Sequence, residues 1–242
     1  HNEDGSTKRK AILILTILGT QGAVDILLNG LGSARDQSLR FELIRALNRI
    51  REKGECREFS KWIVKKEILT EAANYGSTLK VVGEYQKRVP AVLPENDYLL
   101  ATLQAIREES LERLFRLLAL LYDPEMIHVI YDRLIETASD KRVKANALEL
   151  LENILEADLS RALSPLLEHS NLGEINTKTL DELILEFLES GDRWLSVCAI
   201  FMIVELHLSH FYYRLNGALQ SRIPVVHEAA EIALIKTAQT GP

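Results

Sequence analysis

The residues able to do chemistry are few and scattered. His207 and His210 stand three apart and share a helix face, which is the beginning of a zinc site. Zinc wants further ligands close by. Cys198 precedes His207 by two and a half helical turns, and no second cysteine follows it. The pair therefore reads as helix-end histidines beside a packing surface. Cys56 and Cys198 are the two cysteines, too few for a disulfide scaffold or a four-thiolate metal site. Neither has a histidine at triad-like spacing. Cys198 lies in an apolar stretch and reads as core, whereas Cys56 sits among Glu55, Arg57 and Glu58 and reads as exposed. No GxxxxGK or GxGxxG phosphate-binding loop occurs. Carboxylates abound, but on helix faces that water would solvate. The reading is therefore non-catalytic, with no cofactor and no metal.

Charge is more informative than any single residue. The chain has 242 residues, 29 bases and 35 acids, a net charge of −6. An acidic balance argues against a duplex-DNA binder, so nucleic acid is not an expected partner. The charge is uneven, however. Arg35 to Lys66 holds ten bases and five acids, a net +5, and Glu149 to Glu189 holds ten acids and two bases, a net −8. Within the first segment Arg45 and Arg49, and Lys61 and Lys65, are spaced i, i+4, with Lys66 beside the second pair. Arg45, Arg49, Lys61, Lys65 and Lys66 are the candidate basic face, suited to an acidic protein partner or to anionic lipid headgroups. Trp62 lies among those lysines and is the one faint sign of a nucleic-acid enzyme.

Helices must position these groups. Leucine occurs 41 times, and glycine and proline only 12 and 6 times. Apolar residues recur at steps of three and four in Leu39-Leu43-Leu47-Ile50, Leu114-Leu117-Leu118-Leu121, Leu148-Leu151-Leu155 and Leu180-Ile184-Phe187-Leu188. No alternating strand of useful length stands out. Asp123-Pro124-Glu125 marks a helix start, Pro94-Glu95 another, and Thr179-Leu180-Asp181-Glu182 fits a capping box. Asn29-Gly30 suits a helix C-cap. The expected helices are 8–18, 21–30, 36–52, 55–74, 77–88, 95–122, 124–137, 140–155, 158–168, 179–190, 192–207, 209–219 and 223–238. Residues 1–7 are set aside as a disordered tail or a vector scar, since the chain begins with His1. Residues 8–242 are expected to form one domain, with a sub-break near 89–94. The longest uncharged run, Ala11 to Val24, is 14 residues, short of a membrane span.

A degenerate repeat runs through the chain. Asp36, Asp140, Asp192 and Ile223 occupy one repeat position. Three residues on stand Leu39, Val143, Leu195 and Val226; seven on, Leu43, Ala147, Ala199 and Ala230; eleven on, Leu47, Leu151, Ile203 and Leu234. Arg40 and Lys144 follow the first apolar residue. The acid can cap the helix, and the small residue lets a neighbouring helix approach. The pattern resembles the HEAT repeat, so the expected fold is all-α, an α-solenoid of HEAT-like antiparallel helix pairs.

One set of motifs is more specific. Glu112-Arg113-Leu114-Phe115-Arg116-Leu117-Leu118 runs into Leu121-Tyr122-Asp123-Pro124. Lys144-Ala145-Asn146-Ala147-Leu148-Glu149-Leu150-Leu151-Glu152-Asn153 and Pro165-Leu166-Leu167 follow. With Leu39-Arg40 and Arg45-Ala46-Leu47-Asn48-Arg49, this resembles the HEAT-repeat region that follows the membrane portion of bacterial proteins similar to ATP/ADP translocases. The resemblance covers about 36–206 and consists of packing motifs. It implies an excised cytoplasmic domain at the inner face of a membrane, coupling a transporter-like segment to a protein partner. The alternative is an enzyme on a HEAT scaffold, similar to bilin lyases or DNA glycosylases. The di-iron hydroxylases of this fold carry four His-Glu dipeptides, and this chain has His227-Glu228 alone.

Overall fold

A computed structural model of the chain describes residues 2–54, 58–89, 98–136, 140–168 and 177–239. The described residues form twelve α-helices and one 3-10 turn, and no strand occurs among them. The helices are α1 (Asn2–Leu18), α2 (Gln21–Ser33), α3 (Gln37–Glu52), α4 (Lys61–Arg88), α5 (Tyr98–Leu121) and α6 (Pro124–Glu136). Then follow α7 (Lys141–Ile154), α8 (Ala157–Glu168), α9 (Leu180–Glu189), α10 (Arg193–Glu205), α11 (Tyr212–Ala218) and α12 (Pro224–Gln239), with the 3-10 turn at Ser209–Phe211.

The caps follow from short polar side chains placed just ahead of apolar stripes. Asp36 accepts from the Leu39 amide, Asp140 from those of Arg142 and Val143, and Asp192 from those of Trp194 and Leu195. Asp123 accepts from the amide of Glu125, opening α6 at Pro124. Thr179 and Glu182 form a reciprocal capping box, whose hydrogen bonds hold the Glu182 carboxyl below its ordinary range. At the fourth repeat position Ile223 has no side-chain acceptor; its carbonyl accepts from the His227 amide, as the carbonyls of Asp36, Asp140 and Asp192 accept from the amide four residues on. The small residues at the seventh step, Ala147, Ala199 and Ala230, are all fully buried.

Three boundaries differ from the sequence reading. The helices expected at 55–74 and 77–88 are one continuous helix, α4, starting at Lys61. Gly76 lies within it and does not break it. A Cβ there would stand 3.0 Å from Leu166 Cδ2, so glycine marks the close approach of α8. Gly30 is likewise inside α2, which runs on to a cap at Ala34; Leu43 packs against it. Helix α1 begins at Asn2, because each added residue gains a backbone hydrogen bond once a helix is nucleated. Pro94-Glu95, Cys56 and most of the expected sub-break at 89–94 lie outside the described residues.

The chain divides into two compact units. The first is His1–Gly76 with Glu108–Ile175, and the second is Ser77–Arg107 with Asn176–Pro242. In the first, α2 packs on α3, α6 on α7 and α7 on α8, and α1 also reaches α3. Its core includes Leu27, Leu31, Ile44, Leu47, Leu117, Ile130, Ala147 and Leu163. In the second, α9 packs on α10 and α11 on α12, and α10 also packs on α12. Its core includes Val81, Tyr85, Leu103, Ile184, Cys198, Ile203, Leu215 and Ala230. Helix α10 ends in a Schellman motif: the His207 amide reaches Val204 O and the Leu208 amide reaches Ile203 O. The left-handed position there is His207, with φ of 52°.

Candidate interaction surface on helices α1 and α3

Five bases of the basic segment, Arg40, Arg51, Lys53, Lys61 and Lys65, are engaged inside the first unit. Arg40 is buried and donates to Leu31 O at 2.9 Å, capping the last turn of α2. It also donates to Glu71 Oε1 at 2.7 Å and Glu67 Oε2 at 2.9 Å. Burial alone would lower the Arg40 pKa, but Glu71 and Glu67 outweigh it and hold the group above its ordinary value. Arg113 donates to Glu71 Oε2 at 3.0 Å, completing a buried cluster of two guanidiniums and two carboxylates. Arg51 donates to Leu120 O and Tyr122 O at the end of α5, and burial lowers its pKa. Lys53 donates to Thr16 O near the end of α1. Asn48, also buried, links α3 to α5 through Arg116 O at 3.1 Å.

The five candidate bases do not gather in one place. Lys61 and Lys65 both pair with Glu156, and Lys65 also with Asp158 at 2.9 Å. Lys61 and Lys65 hold the Glu156 carboxyl below its ordinary range, and Lys65 does the same for Asp158. Hydrogen bonds from Lys65 to the two carboxylates raise its own pKa in turn. The most basic stretch of sequence thus meets the start of the acidic one directly, across more than 90 residues of chain. Lys66 lies apart with its ammonium 5.9 Å from the Trp62 ring centroid, and Trp62 is 73% exposed.

Arg45 and Arg49 remain, both exposed on α3. They line a hollow of about 260 Å³ with Arg9, Ile12, Leu13, Thr16, Glu42 and Ala46. Arg9 pairs with Glu42 at 2.9 Å, and the Arg45 guanidinium lies 4.6 Å from the Phe41 ring centroid. Lys61 lines a different hollow, with Arg51, Phe59, Tyr122 and Glu156. Beside Arg45 and Arg49, α1 turns four aliphatic side chains outward. Leu13 is 55% exposed, Ile14 57%, Ile17 67% and Leu18 58%. Residues 10, 13, 14, 17 and 18 fall on one helical face, so exposed Lys10 stands at the head of this stripe. Away from this stripe Thr16 is buried and Ile12 and Leu15 are half-buried. The uncharged run from Ala11 shows why: α1 is apolar on both sides, although among the described residues only one side packs, against α2 and α3.

The residues first weighed for chemistry have structural settings. Burial pushes the Cys198 thiol up to about 12, with Asp192 adding to the shift, so the thiolate is suppressed. His210 meets Asp181 at 2.9 Å on the surface, and His227 meets Leu219 O and Glu231. No group of three or more His, Cys, Asp or Glu placed to hold a metal occurs among the described residues. No helix among them is long and apolar enough to cross a membrane. In comparison with known proteins, the chain matches no family model, no curated protein and no solved structure.

Proposed function

We propose that this chain is a non-catalytic interaction domain that docks through the outer face of α1 and the adjoining edge of α3. The observation that carries this reading is the exposed stripe Leu13, Ile14, Ile17 and Leu18 beside Arg45 and Arg49. Contiguous exposed aliphatic residues rimmed by polar ones are the mark of a binding surface. We further propose a HEAT-like solenoid of antiparallel helix pairs. Two features support it: the aspartate-capped repeat, and the packing of α1 on α3 and of α10 on α12, each skipping one helix. The likeness of the 36–206 motifs to the soluble repeats of translocase-like proteins supports a place on the cytoplasmic side of a transporter-like membrane protein.

The test is proximity labelling in cells that express the full gene product, wild type against Ile14→Asp/Ile17→Asp. Loss of a labelled set in the variant is the expected result. An identical set in both would contradict the reading. The full genomic sequence bears on the transporter attachment, which requires several apolar runs of about 20 residues upstream.

A further inference from the structure

Resting on that docking reading, we infer that the occupant of the α1–α3 face is an anionic lipid surface. Three features select it. First, the stripe is purely aliphatic: Leu13, Ile14, Ile17 and Leu18 are exposed on one face of a single helix. A fluid acyl boundary accepts such a stripe, as interfacial helices sink their apolar side some 5–10 Å into the headgroup region. Second, the bases stand to the side and at the head of the stripe. Arg9, Arg45 and Arg49 line the hollow that Leu13 enters, and Lys10 shares the stripe's own face. They reach headgroup phosphates when the aliphatic residues are immersed. Against these four bases stands one acid of the hollow, Glu42, held by Arg9. Third, a second copy of the chain is disfavoured as occupant, because pairing two such faces would bring like charges together.

This surface is smaller than the sequence pattern suggested, and different in kind. Lys61 and Lys65 take no part, since Glu156 and Asp158 hold them. Arg9, Lys10 and the aliphatic stripe join Arg45 and Arg49 instead. Neither charge nor apolar surface alone holds the domain in place, so binding requires both.

The experiment is vesicle flotation of the whole chain on phosphatidylcholine vesicles with and without roughly a third anionic lipid. Wild type is compared with Ile14→Asp/Ile17→Asp, with Arg45→Glu/Arg49→Glu and with Lys61→Glu/Lys66→Glu. All substituted residues are exposed, and helical content by circular dichroism confirms folding. Wild type should float only with anionic vesicles, and less as salt rises. Removing a base near such a surface costs about fivefold, so the arginine pair should weaken binding about 25-fold or more. The isoleucine pair should weaken it at least about tenfold, and the lysine pair by far less than the arginine pair. Absence of wild-type flotation overturns the lipid assignment, as does equal binding by the arginine pair. So does a wild-type dimer in light scattering that Ile17→Asp abolishes. Should flotation fail while proximity labelling still depends on Ile14 and Ile17, the occupant is an acidic protein and the docking reading stands. Failure of both removes the docking reading itself.

Discussion

Glu71 is the residue whose loss should harm the first unit most for the smallest change in shape. Its two carboxylate oxygens serve two different guanidiniums, Oε1 facing Arg40 Nε at 2.7 Å and Oε2 facing Arg113 Nε at 3.0 Å. Glu71 is fully buried, and Arg40, Glu67 and Arg113 are buried with it. The cluster is neutral as it stands. Glu71→Gln keeps the volume and removes one negative charge. The amide has one acceptor and one donor end, so its NH2 must face one of the two guanidiniums. Removing one partner from a buried ion pair costs about 3–5 kcal/mol. At a urea dependence of about 2 kcal/mol per molar, the midpoint should fall by about 1.5–2.5 M. Far-ultraviolet ellipticity against urea measures it. Glu71→Leu/Arg113→Met removes one charge of each sign and fills the space with apolar atoms. It should be more stable than Glu71→Gln, although it changes more atoms. A midpoint shift below about 0.5 M for Glu71→Gln, or a double variant weaker than the single one, would refute the reasoning.

Three further outcomes follow from local geometry. Gly76→Leu should cost about 2–3 kcal/mol by overpacking against Leu166, and Leu166→Ala should restore much of that loss when combined with it, in a double-mutant cycle by denaturation. Glu156 and Asp158 have depressed carboxyl pKa values, so their stabilisation is present above the ordinary carboxylate range and disappears as pH falls through the folded values. The acid limb of Tm against pH, below about pH 4.5, should therefore be shallower in Glu156→Gln; an unchanged slope would count against the clamp. His207 holds a left-handed backbone, so His207→Val should lower stability by about 1–2 kcal/mol, while His207→Gly should be neutral or slightly stabilising in the same thermal assay.

The local parts of the fold were legible because their causes are local. Asp36, Asp123, Asp140, Asp192 and Thr179 each accept from an amide two or three residues ahead, a relation that spacing alone reveals. The alanines at the seventh repeat step lie on the apolar face that the pattern marked, and all three are buried. What spacing misled about was set from far away. The expected helices 55–74 and 77–88 left a gap at 75–76, because nothing nearby in sequence shows that Leu166 packs against Gly76. Lys61 and Lys65 read as an open basic pair because Glu156 and Asp158 lie more than 90 residues on. Arg40 shared a repeat position with Lys144, but only its partners Glu67, Glu71 and Leu31 O explain its burial. Of the candidate surface, Arg45 and Arg49 came from charge spacing. The aliphatic part did not, because an uncharged run such as Ala11 to Val24 looks the same whether a helix is covered on one side or on both.

The most direct test of the docking face is a fluorophore at its centre. Ile17→Cys in a Cys56→Ser background carries an environment-sensitive nitrobenzoxadiazole label, and the remaining Cys198 is buried. A matched label at Val129, exposed on α6, is the control. On adding anionic vesicles, the emission of the label at position 17 should shift to the blue and gain intensity, as an interfacial helix enters the acyl boundary, and the label at 129 should not respond. An unresponsive label at 17, or equal responses at both sites, would contradict the account.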